Sequence, residues 1–392
     1  MHNVVESIDN ARREFYFHQQ EFLFLYGMRA LSTLNPVTFR EHGFWSEQIE
    51  PHHLANYFDV FHENRFDVYK GAIGALSEYE ATALNEVRKV YQHLLAALKA
   101  LDQSKRNYTH IRLPVNPLLF SVLLKRHLDS LSGKLDFTRL LEIGPGTSAA
   151  ALYLRRTEFF IESYMGVENT VPLFILQKLL AELATVTAKM QPQRPTIVKN
   201  VTAYEWHQTS YNPTLVLANH CLTEIDEFAR RSYIYRLSRL SRLEEIDAPP
   251  ICGIGFGGKR TLGVPLIEQY RDLLRNLRDQ GLILAYYRGF RDFESLSELK
   301  FFCFLESKSV DALQIRLPGK NPVMLSLQDY DILSGQFSPE VDVYPVIKGE
   351  NWGDNFRDSS KRNLGISIEQ VIGGAYEETI EEKFIRETRL KR

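Results

Sequence analysis

Residues 139–148 constrain the fold of this chain more than any other segment. Apolar residues around Glu142 predict a strand, and the strand runs into the turn Gly144-Pro145-Gly146. The alanines at 149–151 then predict the start of a helix. Glycine lets the backbone turn sharply and leaves no Cβ between the main chain and a ligand. A helix start adds unpaired N–H groups. The segment therefore predicts a nucleotide-like cofactor across the end of a parallel sheet.

The acidic residue before the first glycine indicates which cofactor this is. The pattern Gly144-x-Gly146-x-x-Ala149 matches the dinucleotide fingerprint, with Glu168 downstream as a ribose acceptor. A pyrophosphate would be repelled by the Glu142 carboxylate at short range in a water-poor site. S-adenosylmethionine instead carries an ammonium and a sulfonium group, which a carboxylate at this place favours. We therefore expect S-adenosylmethionine, with a nicotinamide-binding Rossmann protein as the alternative.

Residues 141–147 resemble motif I, E-x-G-x-G, of the class I S-adenosylmethionine-dependent methyltransferases. The resemblance implies an α/β fold, with a Rossmann-like sheet flanked by helices, and S-adenosylmethionine as the cofactor. It places Glu142 and the two glycines at the methionine end of that cofactor and Glu168 at its ribose. The expected cofactor-binding residues are Glu142, Gly144, Pro145, Gly146, Thr147, Glu168, Asn169, Ala203 and Asn219.

The α/β region alternates between strand and helix patterns in the order that such a sheet needs. Further strands are predicted over 163–169, 195–202, 214–220 and 250–258, and helices over 171–190, 228–243 and 262–280. Residues 282–287 and 312–317 are the best candidates for the last two strands, as an antiparallel hairpin at the sheet edge.

The segment after the fourth strand, residues 219–226, is the expected catalytic site. The end of this strand faces the transferred methyl group in class I methyltransferases, and a polar loop there can orient a substrate. His220 titrates near neutral pH, so we expect it to take the proton of an attacking hydroxyl group. Glu224 is expected to orient that imidazole or to bond the hydroxyl group. Thr223 and Asp226 also fit simple capping of the next helix, and the acidic residues here leave Mg²⁺ binding open.

The layout also resembles that of bacterial sugar O-methyltransferases. A helix with a proline in its first turn is predicted to begin near Asn116, before motif I. Residues 219–225 form a polar run that ends in an acidic and a hydrophobic residue. The chain departs from that family at 144–147, where it has Gly-Pro-Gly-Thr and many members have Gly-Gly-Tyr-Gly. This difference concerns the subfamily and leaves the expected cofactor unchanged.

Charge and cysteine content exclude several classes of protein. The formal net charge of the 392 residues is −2, so there is no overall basic field to hold nucleic acid through its phosphates. The three cysteines are widely spaced, which fits neither a disulfide framework nor a zinc site. The chain start predicts no signal peptide, and no apolar run reaches the roughly 18 residues of a membrane helix. We expect a cytoplasmic protein.

Three regions are expected along the chain. Residues 1–112 form a mainly helical N-terminal domain for substrate recognition or for oligomerisation, with a homodimer as one outcome. Residues 113–320 form the methyltransferase domain, and residues 321–392 form a C-terminal extension with a loop or lid and a terminal helix. The aromatic and histidine residues of 44–69 suit an acceptor pocket as well as packing between helices. Their spacing matches no metal-binding pattern, so no metal ligand is expected.

These patterns together predict an O-methyltransferase that acts on a hydroxyl group of a small molecule or carbohydrate. An NAD(P)-dependent Rossmann oxidoreductase is one alternative, although the chain has no Tyr-x-x-x-Lys set at a suitable place. A protein that binds S-adenosylmethionine without catalysis is the other.

Overall fold

The computed structural model confirms a Rossmann-like α/β sheet flanked by helices, preceded by a mainly helical region. The chain divides into two units, Met1–Ala229 with Asp292–Ser295, and Arg230–Arg291 with Leu296–Arg392. The residues that the structure describes are 4–26, 48–62, 73–131, 138–157, 161–168, 170–187, 197–219, 221–224, 227–240, 251–256, 282–292, 297–306, 310–316, 321, 323–326 and 342–347.

The larger sheet begins with the strand that the sequence predicted most strongly. Its strands are β1 (Arg139–Ile143), β2 (Ser163–Val167), β3 (Ile197–Val201), β4 (Leu215–Ala218), β5 (Ile251–Phe256), β6 (Leu282–Asp292) and β7 (Ser297–Glu306). In the described part of the first unit the strand order is β3-β2-β1-β4, and in that of the second unit it is β5-β7-β6. β1 pairs in parallel with β2 and with β4, and β2 pairs in parallel with β3. The order in the first unit agrees with the 3-2-1-4 part of the dinucleotide-binding order, and in the second unit β7 lies between β5 and β6.

The described helices run from the N-terminal region into the α/β region, and three N-terminal helices pack on one helix of the α/β region. The helices are α1 (Val4–Tyr26), α2 (Pro51–His62), α3 (Glu78–Leu101), α4 (Asn116–Leu131), α5 (Ala149–Leu154), α6 (Val171–Thr187), α7 (Ala203–Gln208), α8 (Cys221–Glu224) and α9 (Glu227–Leu240). α1, α2 and α3 all contact α6. Consecutive residues of α6 from Leu173 to Leu176 are fully buried, as expected for a helix with neighbours on all sides. None of the described helices is long and apolar enough to cross a membrane.

α3 begins with a capping box formed by Ser77 and Glu80, as the spacing Ser-x-x-Glu favours. The hydroxyl oxygen of Ser77 accepts from the N–H group of Glu80 at 3.2 Å, and the Glu80 carboxylate accepts from the N–H group of Ser77 at 2.8 Å. Both bonds satisfy N–H groups that a helix start leaves unpaired. The N-terminal region therefore contains a long helix whose beginning is fixed by local sequence.

The second unit corrects the expectation for the last two strands. Residues 282–287 do form part of β6, but the strand next to it is β7, which the sequence analysis did not predict. Residues 312–316 belong to a further strand, Val310–Arg316 (β8), which pairs with Val323–Leu325 (β9) and Asp342–Ile347 (β10) in a separate sheet. The prediction was wrong because an alternating strand pattern does not determine which other strand it pairs with. β7 pairs in antiparallel register with β5, across about 45 residues of chain.

Candidate functional site

The turn after β1 is fixed against β2 by backbone hydrogen bonds. The N–H group of Gly144 donates to the carbonyl oxygen of Val167 at 2.9 Å. Within the turn, the N–H group of Ser148 donates to the carbonyl oxygen of Pro145 at 2.8 Å. The φ angles of Gly144, Gly146 and Ser148 are +66°, +53° and +56°. Glycine adopts this left-handed backbone at little cost, which explains the residue type at both glycine positions.

The ring of Phe61 covers the second glycine of this turn. A Cβ atom on Gly146 would lie 3.1 Å from Cζ and 3.3 Å from Cε1 of that ring. Phe61 is in the last turn of α2, and the next residue, His62, bonds through Nδ1 to the carbonyl oxygen of Leu113 at 2.8 Å. In dinucleotide-binding proteins the second glycine is where the backbone approaches the pyrophosphate. Here an aromatic ring from the N-terminal helical region lies at that point.

Tyr91 of α3 holds the same turn through a hydrogen bond. Its hydroxyl group donates to the carbonyl oxygen of Thr147 at 3.1 Å, and Thr147 is fully buried. Burial raises the pKa of Tyr91 well above its usual value, so the hydroxyl group keeps its proton and remains a donor. The ring centroid of Phe58, on α2, lies 5.3 Å from that of Tyr91. Both helices therefore bring aromatic side chains to the turn.

The carboxyl group of Glu142 is buried beside the turn. It is 6% exposed and accepts a hydrogen bond of 2.9 Å from the hydroxyl group of Tyr164 on β2. Glu142 pairs in register with Gly166 of β2, and Gly166 pairs with Asn200 of β3, so the three positions share one face of the sheet. Burial raises the pKa of Glu142 to about 8, with the Tyr164 bond lowering it and the charge of Glu168 raising it. Such a group ionises readily when a cation arrives beside it.

The second acidic side chain, Glu168, follows β2 and is held by two donors. Its Oε1 atom accepts from the N–H group of Thr170 at 3.0 Å, and its Oε2 atom accepts from Nε2 of Gln177 at 3.0 Å. The same nitrogen of Gln177 donates to the carbonyl oxygen of Gly146 at 3.0 Å. Glu168 is 6% exposed. The acid at the end of β2 is thereby tied both to the start of α6 and to the glycine turn.

Two buried carboxyl groups at this end of the sheet determine which ligands it can bind. Glu142 and Glu168 lie close enough for the charge of one to raise the pKa of the other. A ligand with a positive group and hydroxyl donors would satisfy both, whereas an anion would be repelled in this low-dielectric setting. The arrangement suits recognition of an ammonium group and of sugar hydroxyl groups.

The end of β4 also lies beside the turn. Asn219 directly follows the strand and is half-buried. Cys221 begins α8, and its Sγ atom is 2.7 Å from the position that a Cβ atom on Gly144 would take. Cys221, a residue of the predicted catalytic segment 219–226, therefore reaches the glycine turn, as expected for neighbouring parallel strands.

The remaining predicted site residues are only partly described. Ala203 begins α7 and Glu224 ends α8, but the side chains of both lie outside the described residues. Asn169 and His220 lie outside them altogether. The structure thus brings together six of the expected residues, namely Glu142, Gly144, Pro145, Gly146, Thr147 and Glu168.

The histidines of α2 bond to one another. His52 and His53 are joined through their Nε2 atoms at 3.0 Å, and Nδ1 of His53 bonds to a carboxylate oxygen of Glu50 at 2.6 Å. Within the described part of the chain, no group of three His, Cys, Asp or Glu side chains is arranged to hold a metal ion.

Sequence reasoning missed three residues that build this site, and it named Phe61 only among the aromatic residues of 44–69, without placing it at the glycine turn. Tyr164 could have been found by strand alternation, because it lies on the same face of β2 as Gly166 and close to Glu142. Gln177 had a weaker signal, a polar residue on the apolar pattern of α6. Tyr91 had none, since only the packing of a distant helix brings it to the turn.

Comparisons with known proteins give structural likenesses only. No protein-family model matches the chain, and no curated protein does. Magnesium protoporphyrin IX methyltransferase from Synechocystis PCC 6803, solved with bound SAM, is 14% identical, with 60% of this chain and 99% of that chain covered and a TM-score of 0.32. Mitomycin 7-O-methyltransferase is 12% identical, with 58% and 68% covered and a TM-score of 0.30. An arsenic(III) S-adenosylmethionine methyltransferase from Chlamydomonas reinhardtii is 12% identical, with 55% and 89% covered and a TM-score of 0.31. The assignment of the fold rests on the strand order and register of this chain.

Proposed function

We propose that this protein is an S-adenosylmethionine-dependent methyltransferase whose acceptor is a hydroxyl group of a small molecule or carbohydrate. The observation that carries the proposal is the pair of buried carboxyl groups, Glu142 and Glu168, beside the glycine turn. Their chemistry fits a cofactor with an ammonium group at one end and a ribose in its middle. The solved methyltransferase with bound SAM supports the same cofactor.

Each part of the site has a role in this proposal. Glu142, once ionised, would bind the ammonium group of the cofactor, with Tyr164 keeping the carboxyl oriented. Glu168 would accept hydrogen bonds from the ribose hydroxyl groups. Gly144 and Gly146, with Pro145 and Thr147, would form the floor of the site, and Asn169, Ala203 and Asn219 would complete it.

The position of Phe61 disfavours a dinucleotide cofactor. Its ring lies where the backbone of a dinucleotide-binding turn approaches the pyrophosphate. An aromatic ring offers no hydrogen bonds to phosphate oxygens, and the Glu142 carboxyl group would repel them whenever it is ionised. The oxidoreductase alternative therefore lacks the anion-binding surface that it needs.

For catalysis we assign His220 as the base and Glu224 as the residue that orients it or the acceptor. His220 would take the proton of the acceptor hydroxyl group as its oxygen attacks. The bound cofactor would supply an electrophilic methyl carbon. The protein would contribute chiefly by holding the acceptor oxygen in line with that carbon.

The regional roles follow the same proposal. Residues 1–112 would recognise the acceptor or form a homodimer, residues 113–320 would carry out the transfer, and residues 321–392 would cover the site or extend it. The contacts of Phe61 and Tyr91 with the glycine turn support a role of the N-terminal region close to the cofactor. We place the protein in the cytoplasm.

Calorimetric titration with S-adenosylhomocysteine tests the proposal, with NAD⁺ and NADH titrated in parallel. We expect micromolar binding of S-adenosylhomocysteine alone, and its loss in Glu168→Ala. The control is Glu86→Ala, which removes an acidic residue from an exposed ion pair with Lys89 on α3. Nicotinamide binding without S-adenosylhomocysteine binding would overturn the proposal.

Transfer of a labelled methyl group from S-adenosylmethionine to a panel of hydroxylated acceptors then tests the reaction. For the acceptor that is methylated, His220→Ala should lower kcat with little change in the affinity for S-adenosylhomocysteine. Cofactor binding without transfer to any acceptor class would support the alternative of a binding protein without catalysis.

A further inference from the structure

The side chain of Gln177 joins two parts of the site that are separate in the sequence. Gln177 lies in the second turn of α6 and is 1% exposed. Its Nε2 atom donates both to the carbonyl oxygen of Gly146 and to Oε2 of Glu168, each at 3.0 Å. One amide group has two N–H hydrogens, so the two bonds use both of them.

The orientation of this amide follows from its partners. The carbonyl oxygen of Gly146 and the carboxylate oxygen of Glu168 are both acceptors, so the NH₂ end of Gln177 must face them. Burying a carboxamide is costly unless it is hydrogen-bonded. A leucine or methionine would fill the same place in an otherwise apolar stretch of helix. The bridge is therefore the reason for a polar residue at this position.

The bridge fixes the position of the Glu168 carboxyl group. The N–H group of Thr170 holds Oε1, and Gln177 holds Oε2, so the plane of the carboxyl group is set from two directions. Because Gln177 also bonds to Gly146, the carboxyl group is set relative to the turn and not only to its own strand.

We propose that Gln177 is a positioning residue that gives this site its preference for an intact ribose, by aligning the Glu168 carboxyl group with the glycine turn. The inference rests on the proposed function, because the ribose belongs to the proposed cofactor. Gln177 acts through Glu168 and Gly146. Its loss should therefore remove discrimination between sugars and leave the Glu142 end of the site unchanged.

A ratio of two affinities tests this role. Adenosine and 2′,3′-dideoxyadenosine each displace labelled S-adenosylhomocysteine, and the ratio of their affinities measures the contribution of the ribose hydroxyl groups. The variants are Gln177→Leu and, as a second apolar side chain of similar length, Gln177→Met. The control is Lys178→Met, which removes an ion pair with Glu14 from the adjacent position of the same helix. Circular dichroism on each variant verifies that it is folded.

In the native protein we expect adenosine to bind about 10- to 100-fold more tightly than the dideoxy compound, as for hydrogen bonds to a charged group. In both Gln177 variants the ratio should fall to about threefold or less, because the carboxyl group loses its alignment. Lys178→Met should keep the native ratio. A general loss of packing would lower the affinities for both ligands equally and leave the ratio of the two affinities unchanged.

An unchanged ratio in the folded Gln177 variants would overturn the inference, and so would an equal fall in Lys178→Met. Both results leave the proposed function intact, since the native protein still binds S-adenosylhomocysteine. If the native protein binds neither S-adenosylhomocysteine nor adenosine, the proposed function fails, and the inference fails with it.

Discussion

The hydroxyl group of Tyr164 donates a 2.9 Å hydrogen bond to the carboxyl group of Glu142 on the neighbouring strand. The pair lies in the interior of the sheet, beside the glycine turn. Burial raises the pKa of the Glu142 carboxyl group to about 8, although the Tyr164 bond opposes the rise. The protein therefore keeps an acid largely protonated at neutral pH at the place where the proposed cofactor carries a positive charge.

Stability should fall as the pH rises because of this residue. In the unfolded chain Glu142 has the ordinary pKa of 4.5, and in the folded protein its pKa is about 8. Between these values the folded state holds a proton that the unfolded state has lost, so the free energy of unfolding decreases with pH. Its contribution is complete below about pH 4.5 and is lost as the pH rises through about 8. Urea unfolding from about pH 5 to pH 8 should give a steeper decline for the native protein than for Glu142→Gln. Parallel curves would contradict this expectation.

The affinity for S-adenosylhomocysteine should increase as the pH rises from about 6 to about 8. If the ammonium group binds the ionised carboxyl group, complex formation releases the proton of Glu142. The affinity should then rise by up to about tenfold per pH unit between about pH 6 and pH 8. Calorimetry in two buffers with different ionisation enthalpies counts that proton. Glu142→Gln should bind more weakly and release no proton, whereas Tyr164→Phe should shift the rise to higher pH. Proton release that persists in Glu142→Gln would assign it to another group.

A methyl group on the second glycine should couple directly to Phe61. Gly146→Ala places a side chain in left-handed backbone, at a cost of roughly 1–2 kcal/mol, and brings its Cβ to 3.1 Å from the Phe61 ring. In a Phe61→Leu background the contact is relieved but the backbone cost remains. A double-mutant cycle on the free energy of unfolding should give a coupling of about 0.5–3 kcal/mol. If the two substitutions change the free energy of unfolding additively, the Phe61 ring and residue 146 do not interact.

Arg126 should matter far more to stability than its neighbour Lys125. The Arg126 guanidinium group bonds to both carboxylate oxygens of Glu80 and to the carbonyl oxygens of Ile73 and Ala75, so it fixes the segment before α3 onto α4. Arg126→Met should lower the free energy of unfolding, measured by urea unfolding, by about 1–3 kcal/mol. Lys125 pairs with the exposed carboxylate of Asp129, and Lys125→Met should lower the free energy of unfolding less than Arg126→Met does, because water can solvate that carboxylate.

The ion pair of Arg126 with Glu80 should make stability depend on pH in the opposite direction to Glu142. The hydrogen bond from Arg126 lowers the pKa of Glu80 to about 2. The stabilisation should be present above the ordinary carboxyl pKa of about 4.5 and should be lost as the pH falls through about 2. In Arg126→Met, unfolding between about pH 5 and pH 2 should lose this dependence. Equal acid sensitivity in both proteins would contradict the assignment.

The glycine turn was predictable because its signals are local. An apolar run, an acidic residue and two glycines are adjacent in the chain, and the φ angles of Gly144 and Gly146 explain both glycines. The capping box of Ser77 and Glu80 is local in the same way. The strand partners after β5 were not predictable, because residues 297–306 and 310–316 both have strand character and only long-range register separates them.

The sequence by itself determined the α/β order, the glycine turn and the two acidic residues at strand ends, since each depends on residues within a few positions of one another. Only the tertiary structure decided what surrounds them. The fold brings Tyr164 to Glu142, Gln177 to both Glu168 and Gly146, and Phe61 to the turn, across separations of 22, 9, 31 and 85 residues. The raised pKa of Glu142 follows from that burial. Burial and hydrogen-bond partners are properties of packing, and no local pattern of residues contains them.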